Sequence, residues 1–179
     1  MSLIVARTAS AAGTRALAAE VAPIAAAGDI VVLAGDLGAG KTVWVQGFAD
    51  GLGVRDAVTS PTFTLVHPYQ GDRLRLLHAD LYRLDLLSEV IDLGLTEQLD
   101  DDAVACIEWG DLAEAALPPD FLEVHLAADT NGTNGTNDTN DSSDDERTLT
   151  FRLVGPRWAA RQDALNRALA PWLDQRDRQ

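Results

Sequence analysis

Residues Gly35-Asp36-Leu37-Gly38-Ala39-Gly40-Lys41-Thr42 follow the pattern glycine, four residues, Gly-Lys-Thr, and Lys41 is the only lysine among the 14 basic side chains of this 179-residue chain. This is the phosphate-binding loop, or P-loop, pattern. Glycines at 35, 38 and 40 let the backbone turn so that consecutive N–H groups, with Asp36 and Ala39 in the same turn, converge on a di- or triphosphate. The positive end of the following helix adds to the attraction. Lys41 would reach the terminal phosphates as a point charge, and Thr42 would set its hydroxyl on Mg2+. A Gly-rich turn opening an ordinary helix is the bland alternative. The flanks favour phosphate binding: Asp29 to Ala34 is an apolar run suited to a buried strand, and Lys41 to Leu52 reads as a helix with Trp44 and Phe48 on one face, stopped near Gly53.

Hydrolysis or transfer needs more than a phosphate cradle: metal ligands and a group that places the nucleophile. Glu108 closes the apolar run Ala103 to Ile107, where the C-terminal edge of a strand meets ligands in an open α/β sheet, and is the metal-binding candidate. Asp80 ends another strand in His78-Ala79-Asp80-Leu81-Tyr82-Arg83 and either orients water near the metal or organises its loop. Thr59, Ser60 and Thr62, in Thr-Ser-Pro-Thr-Phe, stand where a switch loop would sense the terminal phosphate, or equally form a Ser-Pro turn entering a strand. Trp109, beside Glu108, is either simple packing or, as its position favours, a reporter of nucleotide binding. His67 and His78 lie in strand-like runs and read as ordinary core or surface histidines. The histidines and the lone Cys106 show no metal-ligand spacing, and Cys106 reads as a buried structural thiol.

The elements that must hold these residues follow from periodicity. Leu3 to Ala6 predicts a first strand. Ser10 is the N-cap of a helix with Leu17, Val21 and Ile24 on one face, which Pro23 kinks or shortens. Thr62 to His67 and Leu74 to Asp80 predict a hairpin turning through Pro68 to Asp72. Short helical pieces are expected at Leu86 to Asp92 and Thr96 to Leu99. Ala103 to Glu108 is a central strand, and Phe121 to Ala127 pairs with Thr148 to Val154. One last helix starts at Pro156, carries Trp158, Leu165, Leu169 and Trp172, and ends early at Pro171. Between the paired strands, Asp129 to Glu146 has no large apolar residue and reads as a mobile acidic insertion. Its four Asn-x-Ser/Thr matches, at Asn131, Asn134, Asn137 and Asn140, are compositional accidents in a chain without a secretory signal.

The composition, 46% hydrophobic, supports a single domain over residues 1–179. No run approaches the roughly 20 apolar residues of a membrane span, so a soluble, cytoplasmic protein without a membrane partner is expected. A formal charge of −14 argues against direct coating of nucleic acid, and any RNA connection would run through a partner.

Gly-Asp-Leu-Gly-Ala-Gly-Lys-Thr at 35–42, Thr-Ser-Pro-Thr-Phe at 59–63, His-x-Asp-x-Tyr-Arg at 78–83 and Glu-Trp at 108–109, in this order, resemble the TsaE (YjeE) family. The likeness covers residues 1 to 128 and the final strand and helix. It implies a small bacterial ATPase of α/β class, with a P-loop NTPase-like three-layer fold, a mixed central sheet and an antiparallel C-terminal hairpin. ATP and Mg2+ would be its cofactors. Its partners would be TsaD and TsaB, which make threonylcarbamoyladenosine in tRNA, with tRNA met only through them. By resemblance, Lys41 and the backbone of Gly38 to Thr42 hold ATP, Thr42 and Glu108 bind Mg2+, Asp80 supports hydrolysis, and 59–63 is the switch region. ATP turnover would reset the TsaD–TsaB complex. The insertion at 129–146 and Val43, where a second Thr is frequent, depart from the family pattern.

Three rival readings exist. A GTPase normally selects guanine with Asn-Lys-x-Asp, which a chain whose one lysine is Lys41 cannot contain. A P-loop small-molecule kinase would need a basic lid, for which Arg147, Arg152, Arg157 and Arg161 are the available donors. A nucleotide-binding adaptor would hydrolyse ATP only incidentally.

Overall fold

In the computed structural model, which describes residues 2–61, 64–82, 84, 89, 94–99, 102–109, 117–128 and 146–173, the apolar runs become strands and the amphipathic stretches helices. In chain order these are β1 (Ser2–Thr8), α1 (Ala11–Val21), β2 (Ile30–Ala34), α2 (Lys41–Leu52), β3 (Val66–Gln70), β4 (Arg75–Asp80), α3 (Leu95–Gln98), β5 (Ala103–Glu108), β6 (Phe121–Ala128), β7 (Arg147–Val154), α4 (Gly155–Ala159) and α5 (Gln162–Leu169). Short 3-10 turns follow α1 at Ala22–Ile24 and α5 at Ala170–Trp172.

The seven strands form one mixed sheet in the order β1-β7-β6-β2-β5-β4-β3. Its centre, β6-β2-β5-β4, is parallel, while β1, β7 and β3 join antiparallel. Every residue of β2 and β5 is buried, as expected for parallel strands covered on both faces. On one face, Val31, Leu33, Leu76, Val104, Cys106 and Phe151 pack with Leu17, Trp44, Phe48, Trp158 and Leu165 from the helices. On the other, Ile30, Val32, Leu77, Ala79 and Ile107 pack with Leu81 and Leu95. Among the described residues no helix is long and apolar enough to cross a membrane.

Local chemistry sets the element ends. Ser10 caps α1 by accepting from the Gly13 N–H at 3.1 Å, and Pro23 ends the helix in the 3-10 turn. Gly53 takes the left-handed φ of 79° that closes α2. Between α1 and α2 the backbones approach so closely that a Cβ on Gly47 would sit 2.2 Å from the Arg15 carbonyl oxygen. Gly47→Ala gains roughly 1 kcal/mol of helix propensity but overpacks this contact. A net loss of about 1–3 kcal/mol is expected, measured as a lower urea midpoint; an unchanged or raised midpoint would show the helices free to part.

Two expectations are corrected. The first strand of the hairpin expected at Thr62 to His67 is β3, from Val66 to Gln70: Thr64 and Leu65 are not strand, and 62–63 lie outside the described residues. Leu65 holds φ 60°, outside extended geometry, so the strand starts after it. Pro68 lies within the strand because β3 is an edge, where a missing N–H breaks no ladder. The last helix is two helices, since Arg161 leaves helical geometry at φ −101° and ψ 7°. There its guanidinium turns onto Asp29, a 1% exposed carboxylate that also accepts from the Ala26 N–H and pairs with Arg157. The segments expected as a helix at 86–92, save Glu89, and as an insertion at 129–146, save Glu146, lie outside the described residues.

Candidate functional site

Side-chain alternation puts the candidate residues on one face. Leu76, His78 and Asp80 of β4 share it with Val104, Cys106 and Glu108 of β5, because residues two apart along a strand point the same way. The two strands are parallel, with Asp80 in register with Glu108 and His78 with Cys106. Above these strand ends lies the start of α2, entered through Gly40 at φ 102°, with the first helical bond from the Trp44 N–H to the Gly40 carbonyl. Gly35 has φ 132°, and a Cβ there would lie 2.2 Å from the Leu126 carbonyl oxygen, so only glycine lets the loop cross β6.

Lys41 and Thr42 therefore stand over Asp80 and Glu108. The Lys41 ammonium donates to the Gly35 and Asp36 carbonyls at 2.7 and 2.8 Å. It also lies 3.6 Å from the centroid of the Trp109 ring, a cation–π contact. Only 4% of Lys41 is exposed. Trp109 itself adopts φ 60°, a strained setting for a bulky residue, which turns its ring over the ammonium and against Tyr82, 5.1 Å away. The Thr42 hydroxyl lies 2.8 Å from Oε1 and 3.1 Å from Oε2 of Glu108.

Asp80 is fixed from two sides. Its Oδ2 accepts from the Ser60 hydroxyl at 2.5 Å and its Oδ1 from the Tyr82 N–H at 3.1 Å. Ser60 thus joins the site, whereas the Thr59 side chain is exposed and its backbone is tied to the Tyr69 hydroxyl. Thr62 lies outside the described residues. Leu37, Gly38, Gly40, Lys41, Thr42, Ser60, Asp80, Tyr82, Glu108 and Trp109 line a cavity of about 460 Å³. Asp36 is exposed and Ala39 is buried, and neither lines the cavity.

Sequence reasoning missed two participants. His78, read as an ordinary histidine, places Nε2 2.8 Å from Glu108 Oε1. Counting two residues back from Asp80 was the available signal. Arg147 donates from Nε to the Ala39 carbonyl at 3.1 Å, bracing the glycine loop from β7. Arg152 pairs with Glu123, and Arg157 and Arg161 pair with Asp29, so all four arginines considered for a basic lid are engaged within the fold. Cys106 is a buried thiol whose pKa is pushed well above the usual range by burial and then by the Glu108 charge, which suits a structural role.

The chemistry available is therefore a glycine turn with an ammonium, a hydroxyl and two carboxylates around one opening. The same chain matches the family model for "Threonylcarbamoyl adenosine biosynthesis protein TsaE" over residues 8–136. It is 39% identical to the tRNA threonylcarbamoyladenosine biosynthesis protein TsaE of Bacillus subtilis, an alignment covering 90% of this chain and 92% of the relative. The protein of the same name from Streptomyces coelicolor is 40% identical, over 81% of this chain and 93% of its own. The crystal structure of Bacillus subtilis YdiB superposes with a TM-score of 0.73 at 35% identity, over 93% of this chain and 95% of that one. A model match that includes the glycine loop, Asp80 and Glu108, together with relatives aligned nearly end to end, establishes that this chain belongs to the TsaE family.

Proposed function

We propose that this chain is an ATPase acting in the biosynthesis of tRNA threonylcarbamoyladenosine, on a fold of the P-loop NTPase type. The observation that carries the ATPase reading is the contact of Thr42 with Glu108, 66 residues apart in sequence, beside the Lys41 ammonium. In this reading the N–H groups of Gly38 to Thr42 and the ammonium bind the phosphates, replacing the carbonyl contacts that Lys41 makes here. Asp80, aimed by Ser60 and Tyr82, orients the attacking water.

The donor set fits Mg2+. Thr42 and Glu108 offer only oxygen, the ligand type of a hard cation, and one carboxylate with one hydroxyl suits an ion that keeps water and phosphate in its shell. Among the described residues no group of three or more His, Cys, Asp or Glu side chains forms a self-sufficient metal cage. Held by Thr42 and Glu108, Mg2+ would supply positive charge against the phosphates of the nucleotide.

The family membership supports the tRNA pathway, and the chain's charge of −14 supports a role exercised through partner proteins, TsaD and TsaB, in place of direct tRNA binding. Hydrolysis would then reset the TsaD–TsaB complex between rounds. The test is reconstituted threonylcarbamoylation of tRNA by TsaD and TsaB, with and without this chain, over several turnovers. Modification beyond one round only when chain and ATP are present is expected, with ATPase activity rising on addition of the pair. Equal multi-round modification without the chain would overturn the assignment, and ATP-dependent phosphorylation of a small acceptor would replace it with the kinase reading.

A further inference from the structure

His78 is buried with 0% exposure on the apolar face of the sheet, between Leu76 and the cross-strand Cys106. Its Nδ1 meets no hydrogen-bond partner among the described residues. An imidazole in such a place is expensive, since a leucine or phenylalanine would fill it without burying polar nitrogen. Its one polar contact among the described residues is Nε2 against Oε1 of Glu108 at 2.8 Å. A carboxylate oxygen only accepts, so the proton of that bond sits on Nε2.

Glu108 is itself 3% exposed and needs its orientation defined. The Thr42 hydroxyl has a single proton to give and lies within reach of both carboxylate oxygens, 2.8 and 3.1 Å away, so it cannot decide which one faces the cavity. His78 can, because it contacts Oε1 alone and is immobilised by the core around it.

We propose that His78 is a positioning residue: its Nε2–H pins Oε1 of Glu108 and so presents Oε2 to the divalent cation of the nucleotide complex. The proposal rests on the reading of Thr42 and Glu108 as the cation's protein ligands. Groups that orient a metal ligand commonly change metal affinity or activity by roughly 10- to 100-fold when removed.

The test compares the unaltered chain with His78→Phe, which keeps the ring volume without a donor, His78→Gln, whose amide N–H can replace Nε2–H, and Glu108→Gln. ADP affinity is measured by calorimetry in EDTA and across a MgCl2 series, with melting curves as folding controls. In His78→Phe the MgCl2 concentration for half-maximal effect is expected to rise at least about tenfold, with ADP affinity in EDTA unchanged within about twofold. His78→Gln is expected to stay within about threefold of the unaltered chain. If His78→Phe does not fold, His78→Asn, whose amide falls short of Glu108, is read in its place. Unaltered Mg2+ dependence in the donor-less variant, or equal impairment of the Phe and Gln variants, beside an impaired Glu108→Gln, would overturn the positioning role alone. Unaltered Mg2+ dependence in Glu108→Gln would instead overturn the metal-site reading, and the proposal with it.

Discussion

Lys41→Ala is expected to weaken ATP binding by about a hundredfold and to bring turnover below detection. The chain has a single lysine, and its ammonium is buried in the cavity wall under the Trp109 ring, where water competes poorly for it. Hydrogen bonds to charged groups contribute roughly 1.5–3 kcal/mol, and each 1.4 kcal/mol is about tenfold in affinity. What remains in the variant is a set of backbone N–H groups facing an opening lined by Asp80 and Glu108. Among the described lining residues no other cationic side chain then balances those carboxylates against incoming phosphate. Lys41→Arg is the sharper form of the test: it keeps the charge, but a planar guanidinium cannot occupy the space of a compact ammonium held between two carbonyls and an indole face. Both variants are expected to melt close to the unaltered protein, because the Lys41 ammonium is held by the Gly35 and Asp36 carbonyls of its own loop and by the Trp109 ring, outside the hydrophobic core. Calorimetric titration with ATP reads the effect, and retention of near-normal affinity in Lys41→Ala would remove the loop from phosphate binding.

Glu108→Gln is expected to separate binding from turnover. ADP affinity in EDTA stays within about threefold, whereas Mg2+-dependent hydrolysis falls by about a hundredfold or more, the scale on which removing one aimed electrostatic group slows an enzyme. The geometry explains why even an isosteric amide fails. In the native site both carboxylate oxygens accept, from Thr42 and from His78. Glutamine has one acceptor oxygen, so if that oxygen satisfies His78 its NH2 group points to where the cation would lie. Hydrolysis at the normal rate in this variant, followed by steady-state phosphate release, would exclude Glu108 from the metal site.

How far these residues could be placed before the fold was known depended on whether their signal was local. The glycine loop is contiguous, and its strand and helix are marked by an apolar run and a 3.6-residue period, so Lys41 and Thr42 were legible directly. Glu108 was legible because a continuous apolar run ended in it. The pairing of Glu108 with Thr42 was legible only through the family resemblance, since in the residues themselves it depends on β5 lying next to β2 in the sheet. His78 was missed for a related reason: a buried histidine in a strand carries no label of its own, and only the parallel register of β4 with β5 brings it to the carboxylate. The misplaced start of β3 came from a backbone setting at Leu65 that no residue type announces. The break at Arg161 came from the pull of Asp29, 132 residues away in sequence. Boundaries fixed by tertiary contacts stayed hidden, while those fixed by Ser10, Pro23 and Gly53 did not.

The strand order has a consequence for biogenesis. Among the described strands β1, the first in chain order, pairs with β7, the last, and β2, which carries the glycine loop, lies between β5 and β6. Such distant pairings are slow to form. A nascent chain that has not yet delivered β7 therefore leaves β1 without that partner, and one that has not yet delivered β5 lacks the neighbour of β2 that carries Glu108, so the opening between Thr42 and Glu108 forms only once β5 has joined the sheet.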